Sequence, residues 1–210
     1  MNSEKPRCQT DRRAGTEERL QEVPDRLWTE HLNDVGRVLA ATPVSIQVKE
    51  GIPLPRVGQY PLRKEAIEGI APVLASLREQ GVIIPMKSPC NTPILPVKKP
   101  GGNKWRFVQD LRAVNKCVKS SFPEVPHPVT VLAGVPSSTT YFSVVDLCSA
   151  YFSIPLAKES QYLFAFSYAG QQYTWTVLPQ GFCDSPTLFS QALKKDLEDM
   201  ELPEGSVMIQ

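Results

Sequence analysis

Asp146 is the first of three places in this 210-residue chain where side chains could take part in chemistry. It follows the apolar pair Val144–Val145 and precedes the small residues 148–150 and Tyr151. A carboxylate at the end of a buried strand has a fixed direction, which suits a metal ligand. An aspartate in this place also serves as a turn former or helix cap, so the segment alone leaves both interpretations open.

A basic hairpin and a tight turn are the other two places. Residues 93–108, called here the basic hairpin, have a proline and two glycines between two extended runs, which predicts a hairpin tip. The basic residues around this tip are Lys98, Lys99, Lys104 and Arg106. Such groups can hold the oxygens of a triphosphate, and they also occur as solvated surface charge. Pro179-Gln180-Gly181 can direct a glutamine amide at a ligand, or it is an ordinary loop between a strand and a helix.

Helices and short strands must position these groups. Apolar spacing predicts a helix over 61–80 with a kink or break at Pro72 and an end at Gly81. Further helices are predicted over 126–135 and from Ser185-Pro186 to Met200. Strands or extended chain are predicted over 51–60, 82–84, 93–97, 105–108, 141–145, 152–156, 162–168, 172–177 and 207–209. The strand over 141–145 would end at Asp146.

Composition and charge narrow the class of protein. The chain is 41% hydrophobic and 21% charged, as in an ordinary globular protein of one domain or two small ones. Residues 98–119 hold seven basic residues against one acidic residue, a net charge of +6, whereas residues 120–210 have three against nine, a net charge of −6. A basic segment attracts a polyanion and an acidic one suits divalent cations, although both also occur as solvated surface.

The cysteines indicate the cellular compartment of the protein, and the composition of residues 1–45 indicates how well that segment is ordered. Five scattered cysteines and two histidines make no zinc-binding spacing, so reduced thiols in the cytoplasm or nucleus are expected. Residues 1–45 have the character of a poorly ordered linker with one short possible helix at Leu27–Val38. Residues 46–210 are predicted to form the folded domain.

The order and spacing of these motifs resemble the polymerase domain of gammaretrovirus-like and endogenous retroviral reverse transcriptases. The resemblance covers roughly residues 50–210 and rests on 51–62, 88–93, the basic hairpin, 145–147, 163–166 and 178–182. Residues 23–36 are similar to the protease–polymerase junction of Pol polyproteins. The resemblance implies an α+β fold, namely the fingers and partial palm of a right-hand polymerase, with an antiparallel palm sheet packed on helices, ending before the thumb.

The resemblance also implies an activity, an RNA-directed DNA polymerase that adds dNTPs to a primer 3′-hydroxyl on an RNA or DNA template with two Mg²⁺ ions. Asp146 matches the first of the family's three catalytic aspartates. Leu147 matches the position whose backbone carbonyl helps to hold the nucleotide-bound metal.

Further residues match nucleotide and template positions of the family. Lys99 and Arg106 match fingers residues that close over the incoming triphosphate, and Tyr151 matches the aromatic ring that excludes a ribose 2′-hydroxyl. Gln180 matches the residue beside the incoming nucleotide. Asp110 and Arg112 match positions near the template strand.

The family's Tyr-x-Asp-Asp turn, with the other two aspartates, is expected directly after Gln210. We therefore expect the chain as written to be inactive, and to act within a longer Pol polyprotein with thumb, connection and ribonuclease H regions. The expected location is the cytoplasm or nucleus, or the virion of a functional retrovirus. The alternative is a non-enzymatic endogenous retroviral relic that at most binds nucleic acid through the basic hairpin.

Overall fold

Short helices and strands alternate along the chain in a computed structural model that describes residues 23–24, 27–29, 34–100, 104–120, 128–198, 200–202, 206 and 208. The helices of this part are α1 (Lys64–Glu79), α2 (Arg112–Cys117), α3 (Pro128–Ala133), α4 (Lys158–Gln161) and α5 (Ser185–Leu197). The strands are β1 (Ile83–Pro85), β2 (Val97–Lys98), β3 (Trp105–Arg106), β4 (Phe166–Tyr168) and β5 (Gln171–Trp175). The 3₁₀ helices Ala150–Ser153 and Tyr162–Phe164 complete the set.

The first helix forms where apolar residues recur at helical spacing. Ala66, Ile70, Leu74 and Leu77 share one buried face, and burial of each of the larger side chains stabilises the fold by about 1.5–3 kcal/mol. Pro72 does not divide the helix. Proline has no N–H to donate to the carbonyl four residues earlier, but Pro72 lies on the exposed face, where water can bind that carbonyl. The predicted break is therefore wrong. Gly81, with φ of 67°, ends the helix as predicted.

Three antiparallel strands in the order β1-β5-β4 form a sheet beside α1. Ile83 pairs with Trp175, and Phe166 pairs with Tyr173. Ala169 and Gly170 both have positive φ, of 48° and 76°, in the two-residue turn that joins β4 to β5. The predicted hairpin at this place is confirmed, and so is the mixed α+β architecture.

Aromatic side chains fill the core between the sheet and the basic hairpin. Phe107 lies 5.2 Å from Phe166 and 5.6 Å from Trp175, measured between ring centroids. The centroid of the Phe152 ring lies 5.1 Å from that of Trp175. Ring contacts of this kind add to the free energy gained from burial alone. The basic hairpin is thus joined to the sheet through its second strand.

Residues 34–49, called here the N-terminal strap, run across the domain. The backbone amide of Val44 donates to Pro155 O at 2.9 Å, and Ala157 N donates to Val44 O at 2.9 Å. Ile46 N donates to Ser160 Oγ at 2.8 Å. Residues 34–38 carry no helix and residues 30–33 lie outside the described part, as do residues 1–22 of the expected linker. The domain boundary near residue 45 stays a prediction.

Residues 141–147 differ most from expectation. The strand predicted over 141–145, ending at Asp146, is wrong, because no residue of the described chain pairs with this segment and a strand requires a hydrogen-bonded neighbour. All seven side chains are exposed, and Val144 is 91% accessible. The expected extended chain over 152–156 begins only at Ile154, because Ala150–Ser153 is a 3₁₀ helix.

Two helices form later in the chain at predicted places. The predicted helix over 126–135 is present as α3 from Pro128, and the helix start at Ser185-Pro186 is confirmed. The strand expected at 207–209 lies largely outside the described residues. No helix in the described part is both long and apolar enough to cross a membrane.

Candidate nucleotide and template site

The register of the basic hairpin decides which of its cations share a face. Lys98 pairs with Trp105 and Val97 pairs with Arg106, while Lys99 N donates to Lys104 O at 2.8 Å. Lys98 Nζ binds Glu65 Oε1 of α1 at 2.9 Å. Residues opposite each other share a face and successive residues alternate. The hairpin therefore presents Lys99 and Arg106 on the face away from the one that contacts α1.

Asp110 and Arg112 bind each other. The Arg112 guanidinium donates to both carboxylate oxygens, at 2.9 and 2.6 Å, and Arg112 N donates to Oδ1 at 3.1 Å. This hydrogen bonding holds the pKa of the Asp110 carboxyl below its usual value. The Arg112 side chain is 84% exposed, so its charge stays accessible to a large anion. Their role at the template stays a prediction.

The Pro179-Gln180-Gly181 turn is held by Asn115 of α2. Asn115 Nδ2 donates to Gly181 O at 3.0 Å, and Asn115 Oδ1 accepts from Cys183 N at 3.1 Å. Gly181 has φ of 90°, a conformation that favours glycine. Gln180 is exposed at the top of this turn. Sequence reasoning missed Asn115, because an asparagine in a short helix gives no sign of a partner 66 residues away.

Tyr151 lies at the same end of the fold as Gln180. Pro155 forms an antiparallel bridge with Val177, and Leu178 N donates to Ile154 O at 3.0 Å. In such a pair, the residues before the first strand and those after the second lie at one end. Tyr151 is half-buried there, with its ring edge-on to Phe189 of α5 at 5.9 Å. The pairing therefore places both predicted residues at the same end of this strand pair, and their roles stay predictions.

Gln109 connects the second hairpin strand to this end of the fold. Its amide nitrogen donates to Thr92 Oγ1 at 2.8 Å and to the carbonyl of Phe164 at 3.1 Å, and its amide oxygen accepts from Trp175 Nε1 at 2.6 Å. A Cβ at Gly181 would lie 3.8 Å from the Gln109 carbonyl oxygen. The buried Gln109 therefore fixes the chain between the hairpin, Asp110 and the Gln180 turn.

A cleft of about 700 Å³ opens elsewhere, and its lining includes Ser88, Asn91 and Gln172 but none of the predicted site residues. Its polar groups bind each other: Gln172 Nε2 donates to Cys90 O at 2.8 Å and Ser167 Oγ donates to Asn91 Oδ1 at 2.8 Å. These bonds give the polar groups a structural role within the cleft wall.

Comparison with known proteins identifies the family. The family described as reverse transcriptase (RNA-dependent DNA polymerase) matches residues 97–209, which include both strands β2 and β3 of the basic hairpin, Tyr151 and Gln180. The chain belongs to the reverse transcriptase family. The Gag-Pol polyprotein of walleye dermal sarcoma virus is 48% identical over 194 residues, which are 92% of this chain and 11% of that polyprotein. The Pol polyprotein of feline endogenous virus ECE1 is 43% identical over 196 residues, 90% of this chain and 18% of that one.

Solved reverse transcriptases share the fold. The prototype foamy virus protease-reverse transcriptase CSH mutant superposes with a TM-score of 0.77 at 35% identity, over 88% of this chain and 24% of that one. The foamy viral protease-reverse transcriptase in complex with an RNA/DNA hybrid superposes with a TM-score of 0.75 at 32% identity, over 95% and 26%. The expected fingers-and-palm fold of a reverse transcriptase is confirmed. The chain spans less than a fifth of the curated relatives named above.

Reverse transcriptases generally depend on divalent metal ions, and the described residues do not form such a site by themselves. No three His, Cys, Asp or Glu residues of the described part lie together as metal ligands. Asp146 and Leu147 are exposed on the unpaired segment 141–147. Asp184 is buried and accepts a hydrogen bond from Ser120 Oγ at 2.5 Å, without capping α5 through its side chain. One exposed carboxylate and one carbonyl fit an incomplete ligand set.

Proposed function

We propose that this chain forms the fingers and part of the palm of an RNA-directed DNA polymerase. In the complete protein this polymerase would add dNTPs to a primer 3′-hydroxyl on an RNA or DNA template. The observation that carries the proposal is the family match over 97–209, and it is supported by the Pro155–Val177 bridge, which puts Tyr151 and Gln180 at one end of a strand pair. The remainder of a Pol polyprotein would be its covalent partner. Its location would be the cytoplasm or nucleus, or the virion of a functional retrovirus.

The predicted site residues suit separate parts of an incoming nucleotide and its template. Lys99 and Arg106, on one hairpin face, would bind the triphosphate through charge-assisted hydrogen bonds. The half-buried Tyr151 ring would exclude a ribose 2′-hydroxyl by overlap, since its contact with Phe189 restricts how far it can turn away. The exposed Gln180 would pack beside the nucleotide, with the Asp110–Arg112 pair near the template.

Asp146 and Leu147 would hold magnesium only with help from other residues. When bound, two Mg²⁺ ions would supply Lewis acidity at the primer hydroxyl and the triphosphate. Asp146 would contribute a carboxylate and Leu147 a backbone carbonyl, and residues outside the described part would supply further carboxylates. Exposure of the segment 141–147 leaves both groups free to meet such partners.

The test of this proposal uses a longer protein that contains this chain with the rest of the polymerase. Asp146→Asn should abolish primer extension, whereas Glu159→Gln, at an exposed residue of α4, should leave it unchanged. Tyr151→Val should admit ribonucleotides while retaining extension with dNTPs. Primer extension that survives Asp146→Asn at the original rate would refute the catalytic assignment.

A second candidate function applies to the 210-residue chain alone, because its described residues hold a basic hairpin but no carboxylate cluster. Here the chain binds nucleic acid without synthesis. Its affinity for a primer–template duplex should fall with salt, and removing Lys99 and Arg106 should lower the slope of log K against log salt by about 2. Lys158→Ala, on α4, is the matched control. A slope of zero in the unmodified chain would exclude phosphate contacts.

A further inference from the structure

Gly69 lies in the middle of α1, where the basic hairpin crosses the helix. A Cβ built at this position would lie 2.1 Å from Trp105 Cδ1 and 2.2 Å from Trp105 Nε1. Side-chain Cβ atoms do not come so close to other atoms, so the indole rests directly on the helix backbone. Glycine inside a helix is destabilising relative to alanine. Its presence here is explained by the space that Trp105 occupies.

The two contacts between the hairpin and α1 lie on one hairpin face. Trp105 pairs with Lys98, and Lys98 binds Glu65 one helical turn before Gly69. That ion pair is exposed, with side-chain accessibilities of 48% and 66%, and exposed pairs contribute little to stability. The indole is half-buried and packs against the core. The contact of Trp105 with Gly69, called here the Trp105 seat, therefore fixes the hairpin against the helix.

We infer that Gly69 is a positioning residue for triphosphate binding: the Trp105 seat fixes one hairpin face on α1, so that Lys99 and Arg106 project from the opposite face. The inference rests on the proposed function only in the role of those two cations. A side chain at residue 69 would displace the indole and rotate the hairpin about its connection at Phe107. The cations would then no longer meet the triphosphate together.

The seat itself is tested by a double-mutant cycle on the 210-residue chain. Gly69→Ala should lower the folding equilibrium constant when Trp105 is present. In a Trp105→Ala background the methyl group has room, and the same substitution should raise that constant about fivefold through helix propensity. Glu68→Ala, at the exposed neighbouring position, should have the same effect in both backgrounds. Equal stabilisation by Gly69→Ala in both backgrounds would show that the Trp105 seat does not exist.

Its consequence for binding is tested with tripolyphosphate as the probe, titrated calorimetrically at low salt. Gly69→Ala should weaken binding at least about tenfold, the worth of one charge-assisted hydrogen bond, and so should Lys99→Ala. Glu68→Ala should not weaken it. If Lys99→Ala weakens binding and Gly69→Ala does not, the positioning role is wrong and the proposed function stands. If neither Lys99→Ala nor Arg106→Ala weakens binding, the assignment of these two cations to the triphosphate is wrong, and the positioning role of Gly69 is wrong with it.

Discussion

Replacing Gln109 with methionine should lower the free energy of unfolding by about 2–4 kcal/mol. Methionine nearly keeps the volume but binds none of the groups around the amide. The N–H of Trp175, a residue that is 3% exposed, would lose its acceptor at 2.6 Å, and a buried donor without a partner costs about 1–3 kcal/mol. The bonds to Thr92 and Phe164 contribute about 1 kcal/mol more between them. The third bond of the amide nitrogen, to Ala165 O, adds little to this cost, because Ala165 O keeps a hydrogen bond from Thr92 N at 3.0 Å.

Urea unfolding followed by tryptophan fluorescence measures this difference. With a slope of about 2 kcal/mol per molar urea, the midpoint should fall by about 1–2 M. Gln171→Met, at an exposed glutamine of β5, is the matched control and should shift stability by less than about 0.5 kcal/mol. A Gln109→Met shift as small as that of the control would mean that the hydrogen bonds of this amide do not hold the domain together.

A glutamate at the same position adds a pH-dependent test. Gln109→Glu keeps an acceptor for Trp175, but its carboxylate would lie beside the carbonyl oxygens of Phe164 and Ala165. Burial and these oxygens would raise the pKa of the new carboxyl. The variant should therefore be more stable in mild acid, where a protonated carboxyl can donate, than at neutral pH. Equal stability at both pH values would contradict this account of the site.

Three further outcomes follow from the hydrogen bonds and pKa shifts. Asn115→Ala should speed hydrogen exchange at the Cys183 amide about fivefold to tenfold, because that amide loses its acceptor; unchanged exchange would show that Asn115 does not hold the turn. Burial raises the pKa of Cys90 from 9.0 to about 11, so stability should fall by up to about 3 kcal/mol as pH rises from about 9 to 11. Cys90→Ala should flatten this decline in urea titrations. The hydrogen bonds from Arg112 hold the pKa of Asp110 low, so the ionised Asp110 stabilises the fold above about pH 4, and this stabilisation is lost on further acidification. Asp110→Asn should remove that part of the acid unfolding curve.

Local signals in the sequence were sufficient for the elements whose partners are near in the chain. Gly81 ends α1, Ala169-Gly170 forms the β4–β5 turn, and Ser185-Pro186 begins α5, each because a few adjacent residues favour one backbone conformation. The motifs of the basic hairpin and of residues 178–182 were likewise read correctly as a family resemblance. Identity and fold class were therefore within reach of the sequence.

What the sequence could not give depends on distant partners. Residues 141–145 have the composition of a strand, but a strand needs a hydrogen-bonded neighbour, and composition does not say which segment that is. Gln109 and Trp175 bind each other across 66 residues, and nothing in either local sequence marks the pair. The same holds for Gly69, because the reason for a glycine there is its contact with the Trp105 indole and not the sequence of its own helix.

The N-terminal strap has a consequence for the order in which the chain can fold during synthesis. Ile46 meets Ser160 across 114 residues, and Ala40 meets Asp196 across 156. At a translation rate of about 5–20 residues per second, Ile46 is made roughly 6–23 s before Ser160. Throughout that interval the strap has no docking surface at residues 155–160. The first part of the domain to be synthesised is thus among the last to reach its native place.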